Sequence, residues 1–289
     1  MTYPADRPAT WFVTGTSRGL GLELVRQLLD RGENVAATTR STERLVGALA
    51  GTDTSRLLAQ PVDLADEAQV TQAVAAATDR FGGIDVVVNN AGYGFLAAVE
   101  EVSDAEARAM FDVQVFGVWN VLRAVLPGLR ARRSGHVINV SSVLGLLSFP
   151  GWSLYTAGKF AVEAITEALA GEVAEHGISV TSVEPGYMRT DFLRPVSVGL
   201  PAATTDAYPA VRTMVAQHLD EIPGTQLGDP AKAAAAIIAV ATTGEAPLHQ
   251  LLGSDSLALA EGKIRSLADD LEASRALAVT TDVQAAEVV

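Results

Sequence analysis

The stretch 11–29, "WFVTGTSRGLGLELVRQLL", passes from an apolar run through a loop holding Gly15, Gly19 and Gly21 into a segment of helical period. Glycines at a strand-to-helix junction let backbone N–H groups and a helix N-terminus approach a phosphate closely. The spacing G-x-x-x-G-x-G departs from the G-x-G-x-x-G dinucleotide fingerprint, so alone the loop reads as a phosphate cradle or as a structural turn. Arg18 stands among the glycines of a chain whose formal net charge is −13. That placement asks which phosphate would need a full positive charge as well as backbone amides.

Outward from this loop, strand-length apolar runs alternate with helix-period segments. "TWFVTG", "NVAATT", "RLLAQPVD", "IDVVVNNAG", "GHVINVSS" and "ISVTSVEPG" read as strands, with a last strand at 248–252. The unbroken valines of the fourth run mark burial on both faces. Between them lie helices ending at Gly32, capped by Ser41, opened by Asp66, and opened by a Ser103/Glu106 capping box, this last running to about residue 131 with a kink or end at Pro127. A second long helix spans 152–176, another carries Pro230 in its first turn, and a charged amphipathic one covers about 255–274 before a loosely ordered tail. This alternation predicts an α/β fold: one Rossmann-like, doubly wound parallel sheet in three layers, with right-handed crossovers. The rhythm breaks at 190–228, read as a lid over the site, and 253–289 reads as a C-terminal extension of the single domain 1–289.

Composition narrows the function. A 48% hydrophobic chain of 289 residues can bury a large core. With no cysteine, disulfides and thiolate metal sites are excluded, and His136, His176, His218 and His249 show no zinc-site spacing, so no metal is expected. The acidic balance argues against nucleic acid and anionic membranes as partners. No secretory signal and no run approaching ~20 apolar residues is seen, so a cytoplasmic protein is expected.

Ligands of doubly wound sheets bind beyond the carboxyl ends of the strands, and four groups of residues fall there. The glycine loop (Gly15, Ser17, Arg18, Gly19, Leu20, Gly21) is the first. The second is the end of the second strand, where Thr39 and Arg40 stand in the place of the acid that accepts the ribose 2′-hydroxyl of NAD. An arginine there fits a 2′-phosphate instead, so Arg18 and Arg40 are read as a clamp for NADP; the alternative is two solvated surface arginines. "NNAG" (Asn90, Ala91 and Gly92 following Asn89) is the third, a cofactor-side loop or a plain turn. In the fourth, Tyr155 and Lys159 lie four apart on one helix face, near Ser142 at the end of a strand. Free tyrosine ionises at about pH 10, and a nearby ammonium lowers that value. Tyr–Lys pairs at this spacing are common by chance; the conjunction with the other groups is not.

Together these motifs resemble the classical short-chain dehydrogenase/reductase family, over about 10–190 in motifs and to about 250 in layout. "TGTSRGLG" is similar to the family's TGxxxGxG, "NNAG" to its sheet-stabilising turn, and "YTAGK" to YxxxK, with Ser142 thirteen residues before Tyr155. The resemblance implies hydride transfer between NADP(H) and a carbonyl or secondary-alcohol carbon. Ser142 and Tyr155 would hold the reacting oxygen, and Lys159 would bind the nicotinamide ribose and tune Tyr155. Asp63 and Leu64 would lie by the adenine, and "PGYMRT" (Pro185, Gly186, Met188, Thr190) by the nicotinamide carboxamide. Homodimers or homotetramers would form through the two long helices. One departure is Gln114, in "FDVQVFG", where the family has an asparagine completing a proton path to the lysine; it is read as a tolerated variant or as an impaired relay.

Tyr93, Leu144, Phe149, Trp152, Tyr187 and Phe192, with residues near Tyr208 and Met214, form the expected substrate pocket, suited to an apolar small molecule. Two other readings remain at this point: a cofactor-binding sensor or scaffold with weak catalysis, and a family member without net redox chemistry, such as an epimerase or dehydratase.

Overall fold

Strand β1 (Thr10–Thr14) is buried along its whole length, with Trp11 and Val13 packed on one side of the sheet and Phe12 on the other. The computed structural model, which describes residues 3–244 and 246–283, builds outward from this strand. Helix α1 (Gly19–Asp30) returns the chain to β2 (Asn34–Thr39); α2 (Thr42–Ala48), β3 (Leu57–Pro61), α3 (Glu67–Phe81) and β4 (Val86–Asn89) follow. Beyond a two-residue strand β5 (Gly94–Phe95) come α4 (Asp104–Phe111), α5 (Gly117–Arg132), β6 (Gly135–Val140), α6 (Ser153–Val173) and β7 (Ile178–Pro185). The chain continues through β8 (Val198–Gly199), α7 (Pro209–Ala216), α8 (Pro230–Thr242), β9 (His249–Leu252) and α9 (Ser254–Ala278).

The main sheet is parallel throughout, in the order β3-β2-β1-β4-β6-β7-β9. The strand order reverses between β1 and β4, the topological switch point where such sheets open a crevice. Side chains alternate across the pleat. One face carries Trp11, Val35, Val88 and Ile138 against α1, α2 and α8, and the other carries Phe12, Ala36, Val87 and Val137 against α3, α5 and α6. A third apolar cluster, with Leu96, Met110, Trp152 and Leu193, lies apart from these two.

The expected caps at Asp66 and Ser103 form: Asp66 accepts from Ala68 and Gln69 N–H, and Ser103 and Glu106 make the reciprocal box. Ser41 occupies the N-cap position of α2, but its hydroxyl accepts no capping bond. The long helix expected from 103 to 131 is interrupted by a π turn, Asp112–Phe116, and Pro127 sits inside α5 without ending it. By length and composition Asp104–Arg132 is apolar enough to span a membrane, at mean hydropathy 1.3, contrary to the sequence reading, but half of that window is buried inside this fold. The 190–228 segment holds β8, α7 and a second π turn, Gln217–Glu221, and the last helix runs to Ala278 rather than 274. The tail expected to be loosely ordered is described as far as Val283; residues 284–289 lie outside the described residues.

His136, on β6, is 1% exposed. Thr181 gives its hydroxyl proton to the Pro247 carbonyl (2.7 Å), so it accepts from His136 Nε2 (3.0 Å), and the ring is neutral with its proton on that nitrogen. Burial lowers His136 to about 4. In the unfolded chain the ring takes a proton near pH 6.5, so this stability is full above that value and lost as pH falls towards the folded value. Urea unfolding of the wild type at pH 7 and pH 5 is expected to show a loss of about 2 kcal/mol from this group, absent in His136→Gln. The same pH slope in both proteins would refute the assignment.

Candidate active site

The carboxyl ends of the central strands open into one cavity of about 660 Å³. Its floor is the glycine loop. Gly15 has φ +70°, and a Cβ there would stand 2.7 Å from the Ala91 Cα; a Cβ on Gly21 would stand 2.4 Å from the Gly15 carbonyl oxygen. Both positions therefore exclude a side chain and leave backbone facing the cavity, a cradle that fits a phosphate-bearing cofactor. The Asn90 amide ties this loop to the end of β4, donating to the Thr14 (2.9 Å) and Gly15 (3.1 Å) carbonyls, while Thr14 Oγ1 accepts from the Asn90 and Ala91 N–H groups.

At one end of the cavity Thr39 and Arg40 close β2, and Arg18 and Arg44 line the same space. Burial, then the nearby Arg44 and Arg40, pull the Arg18 guanidinium below its ordinary value, so three like charges lie close enough to feel one another. Arg18 also donates to the Val196 carbonyl (3.0 Å), reaching the segment that precedes β8. Arg44 was missed in the sequence. The signal was its place four residues after Arg40, in the first turn of α2. Asp63 borders this end too, its carboxylate accepting from Ala65 N–H (3.0 Å), and the Leu64 carbonyl is held by Asn120 (2.8 Å).

At the other end stand Ser142, Tyr155 and Lys159. Ser142 ends β6 and accepts from Leu144 N–H (3.1 Å). Tyr155 and Lys159 lie a turn apart on the buried face of α6. Burial pushes the Tyr155 phenol above its ordinary value, against a hydrogen bond with Ser142 that lowers it. Lys159 Nζ donates to the Val140 carbonyl (2.8 Å) and lies 5.6 Å from the Tyr155 ring centroid. Burial lowers Lys159 to about 8, opposed by Glu163 one turn on. The expected lowering of Tyr155 by the lysine is thus not the ruling effect here; desolvation is.

Every residue singled out above for cofactor contact lines this cavity, as do Tyr93, Leu144, Phe149, Trp152, Tyr187 and Phe192 of the expected substrate pocket. Gln114 lies behind the wall, in the π turn. Its Nε2 donates to the Tyr93 carbonyl (3.1 Å), and its buried Oε1 has no hydrogen-bond partner among the described residues. A Cβ on Gly92 would stand 3.2 Å from that oxygen and 3.7 Å from Lys159 Nζ, so the two atoms flank one glycine. Tyr208 and Met214 do not line the cavity; Met214 packs against the third apolar cluster. Leu259 of α9 and Leu193 do line it, and neither was identified from the sequence, whose periodicity places them on helix or loop but not over the site. At the "PGYMRT" segment a Gly186 Cβ would stand 2.3 Å from the Asp255 carboxylate, which accepts from Tyr187 N–H (2.7 Å). Thr190 Cβ lies 3.6 Å from where a Gly19 Cβ would be, which brings this segment onto the glycine loop.

Comparison with known proteins agrees with this layout. Residues 9–199 match the family model for short chain dehydrogenases. The chain is 39% identical over 247 residues to the oxidoreductase BOA17 of Botryotinia fuckeliana, covering 86% of this chain and 89% of that one. A solved short-chain dehydrogenase from Streptomyces avermitilis superposes with a TM-score of 0.88 at 36% identity, over 96% of this chain and all (100%) of that one. A short chain dehydrogenase from Burkholderia cenocepacia, in complex with NADP, gives 0.70 at 29% identity over 93% and 97% of the two chains. A 3-ketoacyl-(acyl-carrier-protein) reductase from Brucella melitensis, complexed with NADH, gives 0.71 at 25% identity over 86% and 98%. A glycine cradle at the switch point, a Ser–Tyr–Lys group in the same cavity and these likenesses together establish that the chain belongs to the short-chain dehydrogenase family of oxidoreductases.

Proposed function

We propose that the protein is an NADP(H)-dependent reductase or dehydrogenase acting on the carbonyl or secondary-alcohol carbon of an apolar small molecule. The observation that carries this reading is the placement of Arg18, Arg40 and Arg44 at one end of the cavity whose other end holds Ser142, Tyr155 and Lys159. Three cations where β2 closes on Thr39 suit a 2′-phosphate and leave no acid for the 2′-hydroxyl of NAD. When bound, the nicotinamide ring supplies or takes the hydride. Ser142 and Tyr155 hold the substrate oxygen. Burial keeps the Tyr155 phenol protonated at neutral pH, which suits it to give a proton in the reducing direction. Lys159, fixed by the Val140 carbonyl, holds the ribose and through its nearby charge favours the Tyr155 phenolate, and Gln114 Oε1 serves the proton path on the far side of Gly92. The substrate end is walled by Leu144, Phe149, Trp152, Tyr187 and Phe192, which favours an apolar ketone or alcohol. Segment 190–228 acts as a lid, latched through Arg18 to the Val196 carbonyl. Self-association through α5 and α6 belongs to the same reading, since Phe116 and Trp119 stack on each other (6.5 Å) beside α5 and stay exposed, as does Phe160 on α6.

Three measurements test this. In fluorescence titrations Arg40→Asp should raise the Kd for NADPH by about 10- to 100-fold, as loss of a charge-assisted phosphate bond requires, and change NADH binding far less. Arg44→Ala should follow in the same direction with a smaller effect; equal losses for both cofactors would remove the phosphate clamp. Across a panel of apolar ketones, Tyr155→Phe should lower NADPH turnover by at least about 100-fold while leaving NADPH affinity intact. Gln114→Asn should change kcat less than about tenfold, well under the roughly 100-fold at the low end of what a proton-transfer group contributes; a hundredfold gain would show that the native relay is impaired.

A further inference from the structure

The last helix leaves the body of the protein. Within α9, Ser256 and Ala260 are buried, whereas every described residue from Lys263 to Val283 is exposed. Sixteen residues of it, 263–278, thus project over about 24 Å at the helical rise. A helix of that length is marginal alone in water and is ordinarily held by packing of an apolar face. This one has such a face: Leu257, Ala260, Ile264, Leu267 and Leu271 recur at alternating steps of three and four, the spacing of a coiled-coil seam. The seam is covered by the body at Ala260 and bare beyond it, with Ile264, Leu267 and Leu271 at 68%, 56% and 57% exposure.

The charges beside the seam identify what covers it. Lys263 and Asp270 occupy the same flanking heptad position, and neither has an ion-pair partner among the described residues; the neighbouring charges Arg265 and Arg275 pair within the helix, to Glu261 and Glu272. When two such helices run antiparallel, like flanking positions face each other. A register that sets Ile264 against the partner's Leu267 also sets Lys263 opposite the partner's Asp270, and twofold symmetry makes both contacts twice. A parallel pair would bring both bodies to the same end, where each covers its own seam at Ala260. The helix carries five acidic and three basic side chains, which disfavours an anionic lipid surface as the occupant. We propose that the projecting part of α9 is a self-association arm, pairing antiparallel with α9 of a second copy of this chain through Ile264 and Leu267 of the bare seam and reciprocal Lys263–Asp270 ion pairs. This contact is separate from the α5/α6 face and does not depend on the proposed reaction.

The test compares the full chain with one ending at Gly262, which keeps the buried Ser256 and Ala260. By light scattering coupled to gel filtration the full chain is expected at twice the mass of the shortened one, whether or not the α5/α6 face also associates. Equal masses would overturn the proposal, provided that NADPH still binds the shortened chain; should it not fold, the variants that follow decide. Lys263→Asp and Asp270→Lys should each weaken the assembly about tenfold in sedimentation experiments, in keeping with exposed ion pairs, and the double exchange should restore it. No restoration overturns the pairing. Because the protein has no cysteine, introduced thiols report without background. Lys263→Cys chains mixed with Asp270→Cys chains under mild oxidation should form the mixed covalent dimer in preference to either homodimer. A predominance of homodimers, or no covalent dimer, overturns the antiparallel arrangement.

Discussion

The Asn90 side chain holds the switch point together. Its amide nitrogen is shared between the Thr14 and Gly15 carbonyls, at the place where β1 turns into the glycine loop and β4 turns towards the catalytic end. These two bonds satisfy carbonyls where the strand ends, and a carbonyl left without a partner away from water would cost on the order of 1–3 kcal/mol. The same amide lies 2.5 Å from where a Gly21 Cβ would be, so loop, strand end and first helical turn are fixed as one unit. With that unit fixed, the cavity floor has no freedom to sag, and groups beyond it can be placed to within a hydrogen bond.

Fold and site were legible where a residue's role is local. Unbroken valines in β4, the Asp66 cap, the Ser103–Glu106 box and glycines that must approach backbone are settled by neighbours a few positions away, and sequence displays those neighbours. The residues read as cofactor-side come together in one cavity for the same reason: they sit at strand ends, and strand ends are what periodicity marks. What escaped depends on contacts between distant segments. The π turn at Asp112–Phe116 has no spacing of its own and differs from α-helix by one residue per turn, yet it aims Gln114 at the Tyr93 carbonyl. The β5–β8 pairing joins two residues to two others across about a hundred positions, too short a match to announce itself. Leu259 reaches the cavity because α9 first docks on β7 through Ser256 and the Glu184 carbonyl, a contact that no helical wheel contains.

Helix α6 shows why the site can hold a buried lysine. Tyr155, Lys159 and Glu163 follow one another at four-residue steps, so the face that presents the Tyr–Lys pair to the cavity also buries a carboxylate behind it. Glu163 is itself expensive to bury and accepts from the Ser182 hydroxyl (2.8 Å). A second acid, Glu184, is fully buried beside it on β7, pushed up by burial and held at 2.6 Å by His249 of the edge strand. One of the oxygens of each carboxylate has no hydrogen-bond partner among the described residues, so these acids are not there for stability alone; apolar side chains of similar volume would cost less. The Glu163 charge, one turn along the helix, opposes the desolvation that lowers Lys159. Burying Glu163 is costly, but its charge offsets part of the cost of burying Lys159 one turn away.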